Sequence, residues 1–226
     1  CKDIAQQLLD TPYGDGPEVI LGGGRAQFLP NTVADPEYPS KTGKRNDGAN
    51  LIDEWLLRVP GREYVWNRQD FLALMEKRAS STDTERQFMG LFEPSHMQFE
   101  ADRANDPAGE PSLLEMTQFA LAEMQKSDQG YFLLIEAGRI DHAHHGSNAR
   151  RALVDTVAMS EAVQWVVDNV DLEETLILVT ADHSHTMTIS GYPRRGNPIL
   201  GLVESQPGQT IKDATGLPYT TLSYAN

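Results

Sequence analysis

Residues 131–145, YFLLIEAGRIDHAHH, decide how this chain is read. The first five are apolar without a break and follow Gly130, the pattern of a strand buried on both faces of a parallel sheet. The remainder delivers a carboxylate, an arginine, an aspartate and three histidines at the carboxyl end of that strand. Gly138 allows the backbone to turn sharply before Arg139. Asp141 and His145 are four residues apart, so one helical turn puts both side chains on one face. A carboxylate paired with an imidazole suits zinc or a similar transition metal, whereas calcium prefers oxygen ligands alone. Glu136, an oxygen ligand with no imidazole in its immediate motif, suits a harder cation.

A second cluster answers the first across a crossover. Ser147 is placed to cap a helix running to about Val170, with Leu153, Val157, Val163, Val166, Val167 and Val170 as its apolar stripe. Residues 175–180, TLILVT, then form a second buried strand that ends in Ala181, Asp182, His183, Ser184 and His185. Two adjacent parallel strands, each delivering an Asp and a His at its carboxyl end, would bring Asp141, His145, Asp182 and His183 into one crevice, where open α/β sheets bind ligands. A lone Asp-x-x-x-His pair is ordinarily a solvated ion pair. Two such clusters closing two buried strands, and holding five of the six histidines, carry the metal reading. His144 and His185 read as packing or supporting residues.

The chain of 226 residues is long enough to bury a sizeable core and reads as one α/β domain. A net charge of −14 argues against a nucleic-acid surface, which needs clustered Lys and Arg, and fits a protein holding several divalent cations. Upstream of the metal motifs, residues 2–9 have helix spacing and residues 18–21 read as a short strand closed by Gly22, Gly23 and Gly24. That triplet lacks the Lys-Ser/Thr of a P-loop and reads as a tight strand exit. Residues 27–50 read as a long surface loop. A helix at Leu51, Ile52, Trp55 and Leu56 follows, then a strand over 64–66 and a helix capped by Asn67. Residues 89–111 read as a polar excursion, ended by Ser112-x-x-Glu115, the signature of a capping box. Alternating strands and helices imply a layered α/β fold.

At the level of motifs, Glu136-x-Gly-Arg-Ile-Asp141-His-x-His-His145, Val179-Thr-Ala-Asp182-His183-Ser-His185 and Gly191-Tyr-Pro-x-Arg-Gly196 resemble the metal-binding core of the alkaline phosphatases, closest to their animal-type branch. The resemblance extends to Val19-Ile-Leu-Gly-Gly-Gly-Arg25, Asp35-Pro-Glu-Tyr-Pro39, Tyr64-Val-Trp-Asn-Arg68 and Met89-Gly-Leu-Phe-Glu-Pro94. It implies a three-layer sandwich with a mostly parallel central sheet flanked by helices, one domain over 1–226, and the start of a dimer-facing crown excursion at 203–226. It also implies hydrolysis of phosphate monoesters with two zinc ions and one magnesium through a phosphoserine intermediate.

Carried over residue by residue, Asp141 and His145 would ligate the first zinc, Asp182 and His183 the second, and Glu136 the magnesium. His142 would contact the phosphate through water, and Arg139 would be structural. The nucleophilic serine has no counterpart here: by resemblance it belongs upstream of Cys1, and a last zinc histidine belongs downstream of Asn226. Phe92 and Glu93, with Glu110, resemble a calcium site, Glu110 standing where the family has an aspartate. The resemblance further implies a homodimer, an extracytoplasmic location and a disulfide from Cys1 to a cysteine upstream. A related two-zinc phosphodiesterase or phosphonate hydrolase, and a metal-binding segment without chemistry of its own, are the alternative readings.

Overall fold

The computed structural model describes residues 2–11, 14, 16–84 and 86–225, so the pairing expected of Cys1 lies outside the described residues. At its centre is a three-stranded, all-parallel sheet in the order β1 (Val19–Gly22), β3 (Phe88–Leu91), β2 (Glu63–Val65). The middle strand, FMGL, falls at the edge of the stretch read from sequence as a polar excursion. It is buried at all four positions, and its alternation sorts two cores. Met89 and Leu91 pack with Phe28, Leu29 and the helices α1 (Ile4–Leu9) and α2 (Leu51–Arg58), chiefly through Leu51, Ile52 and Trp55. Phe88 and the following Phe92 pack on the other side against α3 (Arg68–Arg78) and α4 (Leu113–Met124). There Phe71 meets Phe92 and Phe119 edge-on at 5.3 and 5.4 Å, the arrangement that ring quadrupoles favour. Helices on both faces of a parallel sheet give the three layers.

Local signals placed the helix starts well. Asn67 caps α3 by accepting from the Asp70 N–H, and Ser112 and Glu115 form the reciprocal capping box of α4. The helix α6 (Ala149–Asn169) is capped by Asn148 rather than Ser147. Ser147 takes a positive φ of 51° where the short helix α5 (Arg139–His145) ends, which removes it from capping geometry. Buried positions on α6 are Ala152, Asp155 and Ala162, small or polar residues that allow close approach, while Val157 of the expected stripe is exposed.

The two runs that looked most like buried strands are not strands here. Residues 131–135 and 175–180 carry no sheet hydrogen bonds among the described residues, and Phe132, Leu134, Leu176 and Leu178 are 80–87% exposed. An unbroken apolar run signals burial on both faces, but among the described residues no strand pairs with either run, and only alternate positions, Leu133, Ile135, Thr175 and Ile177, are partly covered. The expected adjacency of these two runs in one sheet is therefore corrected. Beyond them lie two small antiparallel pairs, β4 (Met187–Ile189) with β7 (Leu222–Tyr224), and β5 (Glu204–Gln206) with β6 (Gln209–Thr210).

Arg25 fastens the long loop to the sheet. Its fully buried guanidinium holds Asp35 through two bonds of 2.8 Å, Glu37 at 3.0 Å and the Leu91 carbonyl at 2.8 Å. The glycine triplet has two steric reasons to be glycine. Gly24 has a φ of 84°, and a Cβ on Gly23 would lie 2.2 Å from the Ser95 carbonyl oxygen. Among the described residues no helix is long and apolar enough to cross a membrane.

Candidate metal centre

The short helix α5 and the segment that follows residues 175–180 meet at Asp141. Three imidazoles converge on its Oδ1: His185 Nε2 at 2.8 Å, His145 Nε2 at 3.4 Å and His183 Nε2 at 3.6 Å. Asp182 reaches the same group through His183, Oδ2 to Nε2 at 3.3 Å. Asp141, His145, Asp182 and His183 thus gather at one place, although the runs that deliver them are not paired. The helical spacing of Asp141 and His145 works as anticipated, and the partner cluster arrives on extended chain.

The carboxylate of Asp141 is held below its ordinary pKa, first by the bond from His185 and against the opposing effect of burial, with the other two imidazoles adding to it. An anionic oxygen ringed by imidazole nitrogens, partly open to solvent, is the donor chemistry of a transition-metal site. Asp141, His145 and His185 are the tightest group. His185 was read from sequence as a supporting residue. The signal for it was nevertheless present: His183 and His185 are two apart on extended chain and so share a face. His144 stacks on His185 at 4.8 Å and bonds Tyr224 through Nδ1 at 2.9 Å, which orients the stack from outside the cluster. Burial, then His185, lower the pKa of His144, while Asp141 opposes them.

His142 points to a different set of neighbours. Its Nδ1 lies 2.9 Å from Arg139 Nη1, and its ring meets His96 at 4.3 Å. Glu136 belongs to neither group of converging ligands, and among the described residues it has no hydrogen-bond or ion-pair partner.

A second group consists of oxygen ligands alone. Glu37, Glu93 and Asp106 bring one carboxylate oxygen each within 4.8 Å of the others. Burial raises the pKa of Glu93 to about 7; the Gln98 amide opposes this, and Asp106 and Glu37 add to it. Both oxygens of Asp106 are buried without a donor, an arrangement whose charge calls for a cation. The expected set was Phe92, Glu93 and Glu110. Glu93 is in the group, but Glu110 is not: its Oε1 accepts from the Gln98 N–H at 2.9 Å, and burial first of all raises its pKa to about 8. Asp106 and Glu37 take its place, the latter brought in by the Arg25 network from a motif 56 residues upstream of Glu93. Phe92 is fully buried and its ring faces Phe71.

The chain is 41% identical over its whole length to a membrane-bound alkaline phosphatase of Bombyx mori and 42% identical to the tissue-nonspecific alkaline phosphatase of Gallus gallus. It spans 39% and 42% of the length of those two relatives. Among solved structures, the alkaline phosphatase of Thermus thermophilus superposes on 74% of this chain and 29% of its own with a TM-score of 0.55 at 32% identity. That of the Antarctic bacterium TAB5 shares the fold at 18% identity, covering 97% of this chain and 55% of its own with a TM-score of 0.59. The family model for alkaline phosphatase matches residues 1–226, and with two converging ligand groups on a parallel α/β frame the chain belongs to the alkaline phosphatase family.

Proposed function

We propose that this chain supplies metal ligands for the hydrolysis of phosphate monoesters, as part of a longer chain that provides the nucleophilic serine and forms a phosphoserine intermediate. The observation that carries the reading is the convergence of His145, His183 and His185 on one oxygen of Asp141. Asp141 and His145, with His185 as a third donor, would hold the first zinc, and Asp182 and His183 the second. Glu136 would hold magnesium, and a solved TAB5 alkaline phosphatase variant carries magnesium. Cations held by these donors would supply Lewis-acid stabilisation of the charge that develops on the phosphoryl oxygens. The protein's share is to fix the donors, with His142 offering an N–H toward the phosphate.

The all-oxygen group Glu37, Glu93 and Asp106 would take calcium, whose preference is for hard oxygen ligands. Exposed apolar runs at 131–135 and 175–180 fit a longer chain whose own strands pair with them. A homodimer and an extracytoplasmic location complete the reading.

The test compares the 226-residue chain with a longer enzyme containing it. Both are assayed on an activated aryl phosphate with saturating zinc and magnesium, each beside an Asp182→Ala version. The expected result is zinc binding by both and turnover by the longer enzyme alone, lost with Asp182→Ala. Turnover by the 226 residues, abolished by Asp182→Ala, would place the nucleophile within them and overturn the division of labour.

A further inference from the structure

We propose that Phe99 is a positioning residue for the metal donors on α5: its ring holds the guanidinium of Arg139, the first residue of that helix, and so fixes where Asp141 and His145 stand. The inference rests on the metal reading of Asp141 and His145 for what is positioned, and on the packing around Phe99 for how.

Little else holds the start of α5. Gly138 stands at its N-cap with no capping side chain, and residues 131–135 before it pair with no strand among the described residues. The other end is secured, since the Asn148 N–H donates to the Ala143 carbonyl at 2.8 Å and Ala143 is buried. A helix of seven residues is marginal without tertiary support, so the orientation of its first turn, where Asp141 lies, depends on outside contacts. Arg139 supplies one. Its guanidinium lies 3.7 Å from the centre of the Phe99 ring, within cation–π range. A cation in the first turn opposes the helix dipole, so Arg139 supports α5 through this contact and not through its charge. The 2.9 Å contact of its Nη1 with His142 Nδ1 lies within α5 and ties the helix to nothing else, and its Nε is buried without a hydrogen-bond partner among the described residues.

Phe99 is built as a fixed point. Its neighbours on both sides are tied down: the Gln98 N–H donates to Glu110 Oε1 at 2.9 Å, and the Glu100 N–H to the Asp155 carboxylate of α6 at 3.2 and 3.3 Å. The Asp102 and Arg103 N–H groups close a turn on the Phe99 carbonyl at 2.8 and 2.9 Å. Arg151 of α6 approaches the same ring at 4.6 Å and pairs with Asp102 at 2.7 Å. One ring thus takes a cation from α5 and another from α6. The turn that joins the two helices secures the end of α5, and the shared ring secures its beginning, which leaves the donors between them one position against α6. Donors held before the metal arrives are what a tight site needs.

The test uses the 226-residue chain in two arms. In the metal-free chain, hydrogen exchange at the amides of α5 should quicken at least about threefold in Phe99→Leu, which keeps an apolar side chain and loses the π face, and return toward wild type in Phe99→Tyr. In the second arm cobalt is titrated in as the probe. Wild type is expected to bind it with the visible absorption of a mixed nitrogen and oxygen donor set; Phe99→Leu should lower the affinity roughly three- to thirtyfold and alter the spectrum, and Phe99→Tyr should restore both. Phe99→Leu made on Arg139→Met should add no further change, because the ring acts through that guanidinium. Phe119→Leu, in the aromatic core against Phe71 and Phe88, is the comparison for general loss of stability: it should lower the midpoint of urea unfolding and leave the cobalt spectrum as in wild type. Exchange and spectrum unchanged in Phe99→Leu, no recovery in Phe99→Tyr, full additivity with Arg139→Met, or the same spectral change in Phe119→Leu would each overturn the proposal. Should Phe99→Leu fail to fold, Arg139→Met, which removes the cation instead, has to give the faster exchange and the altered spectrum, or the proposal falls. A wild type that takes up no cobalt would sink the metal reading, and the exchange arm would still decide whether Phe99 holds α5.

Discussion

Replacing Asp35 with alanine should cost this chain a large share of its stability. The Asp35 and Arg25 side chains are 1% and 0% exposed, and the carboxylate accepts two guanidinium bonds of 2.8 Å. Asp35 Oδ1 also accepts the Glu37 and Tyr38 N–H groups at 3.0 Å, which shapes the loop that carries Glu37 inward. Asp35→Ala leaves a buried guanidinium with Glu37 as its one remaining carboxylate, and removing one member of a buried pair costs about 3–5 kcal/mol. For a chain of this size each kcal/mol is worth about 2–4 °C, so the midpoint should fall by roughly 6–20 °C. Asp35→Asn separates the contributions, since it keeps an oxygen for the two N–H groups and loses the charge; its loss should be intermediate. The pH dependence has a definite sign. Burial raises the pKa of Asp35, but Arg25 and the two N–H groups outweigh it and hold the carboxyl below its ordinary 3.8. Its contribution is therefore present above 3.8 and lost as pH falls through the lower folded value, an acid limb that Asp35→Asn should lack. Urea unfolding followed by circular dichroism, with midpoints compared at constant m-value, is the assay. A loss under about 1 kcal/mol for Asp35→Ala would place the pair with ordinary surface ion pairs and refute the reasoning.

The other outcomes are these. Asp141→Ala should weaken zinc binding at least about tenfold in competition with a chromophoric chelator, His185→Ala nearly as much, and His144→Ala far less, since His144 lies outside the ligand group; equal losses for all three would remove the distinction. Terbium luminescence with calcium competition should register a site lost with Glu93→Gln and with Asp106→Asn but retained with Glu110→Gln, and loss with Glu110→Gln alone would restore the set expected from sequence. Ser112→Ala should destabilise by about 1 kcal/mol through its cap on α4, and a change within error of zero in urea unfolding would show the box to be idle. Burial raises the pKa of Glu115, yet Arg68 and the Ser112 N–H bring it below its usual value. Its stabilisation therefore holds above 4.5 and fades as pH falls through the folded value, and loss on raising the pH instead would contradict the pairing.

What the sequence determined by itself are the features set by nearest neighbours along the chain. Asn67 and Ser112 start helices because their side chains reach N–H groups three residues on, and Asp141 and His145 share a face because one helical turn separates them. The ligand-rich motifs could be found because five histidines sit beside two apolar runs, whatever those runs do. The tertiary structure decided whatever depends on who lies alongside. Residues 131–135 and 175–180 have the composition of buried strands, yet no described neighbour pairs with them, because burial is a property of the surroundings and not of the run. The four residues of β3 are too short a signal to read against the polar stretch after them, and only their position between β1 and β2 makes them central. The same holds for the acidic group. Glu93 and Glu110 are 17 residues apart and looked like partners, but Arg25 draws Glu37 to Glu93, and Glu110 turns to the Gln98 N–H. A charge buried at 0% exposure must find its counterions wherever the fold puts them, and linear spacing carries no record of that choice.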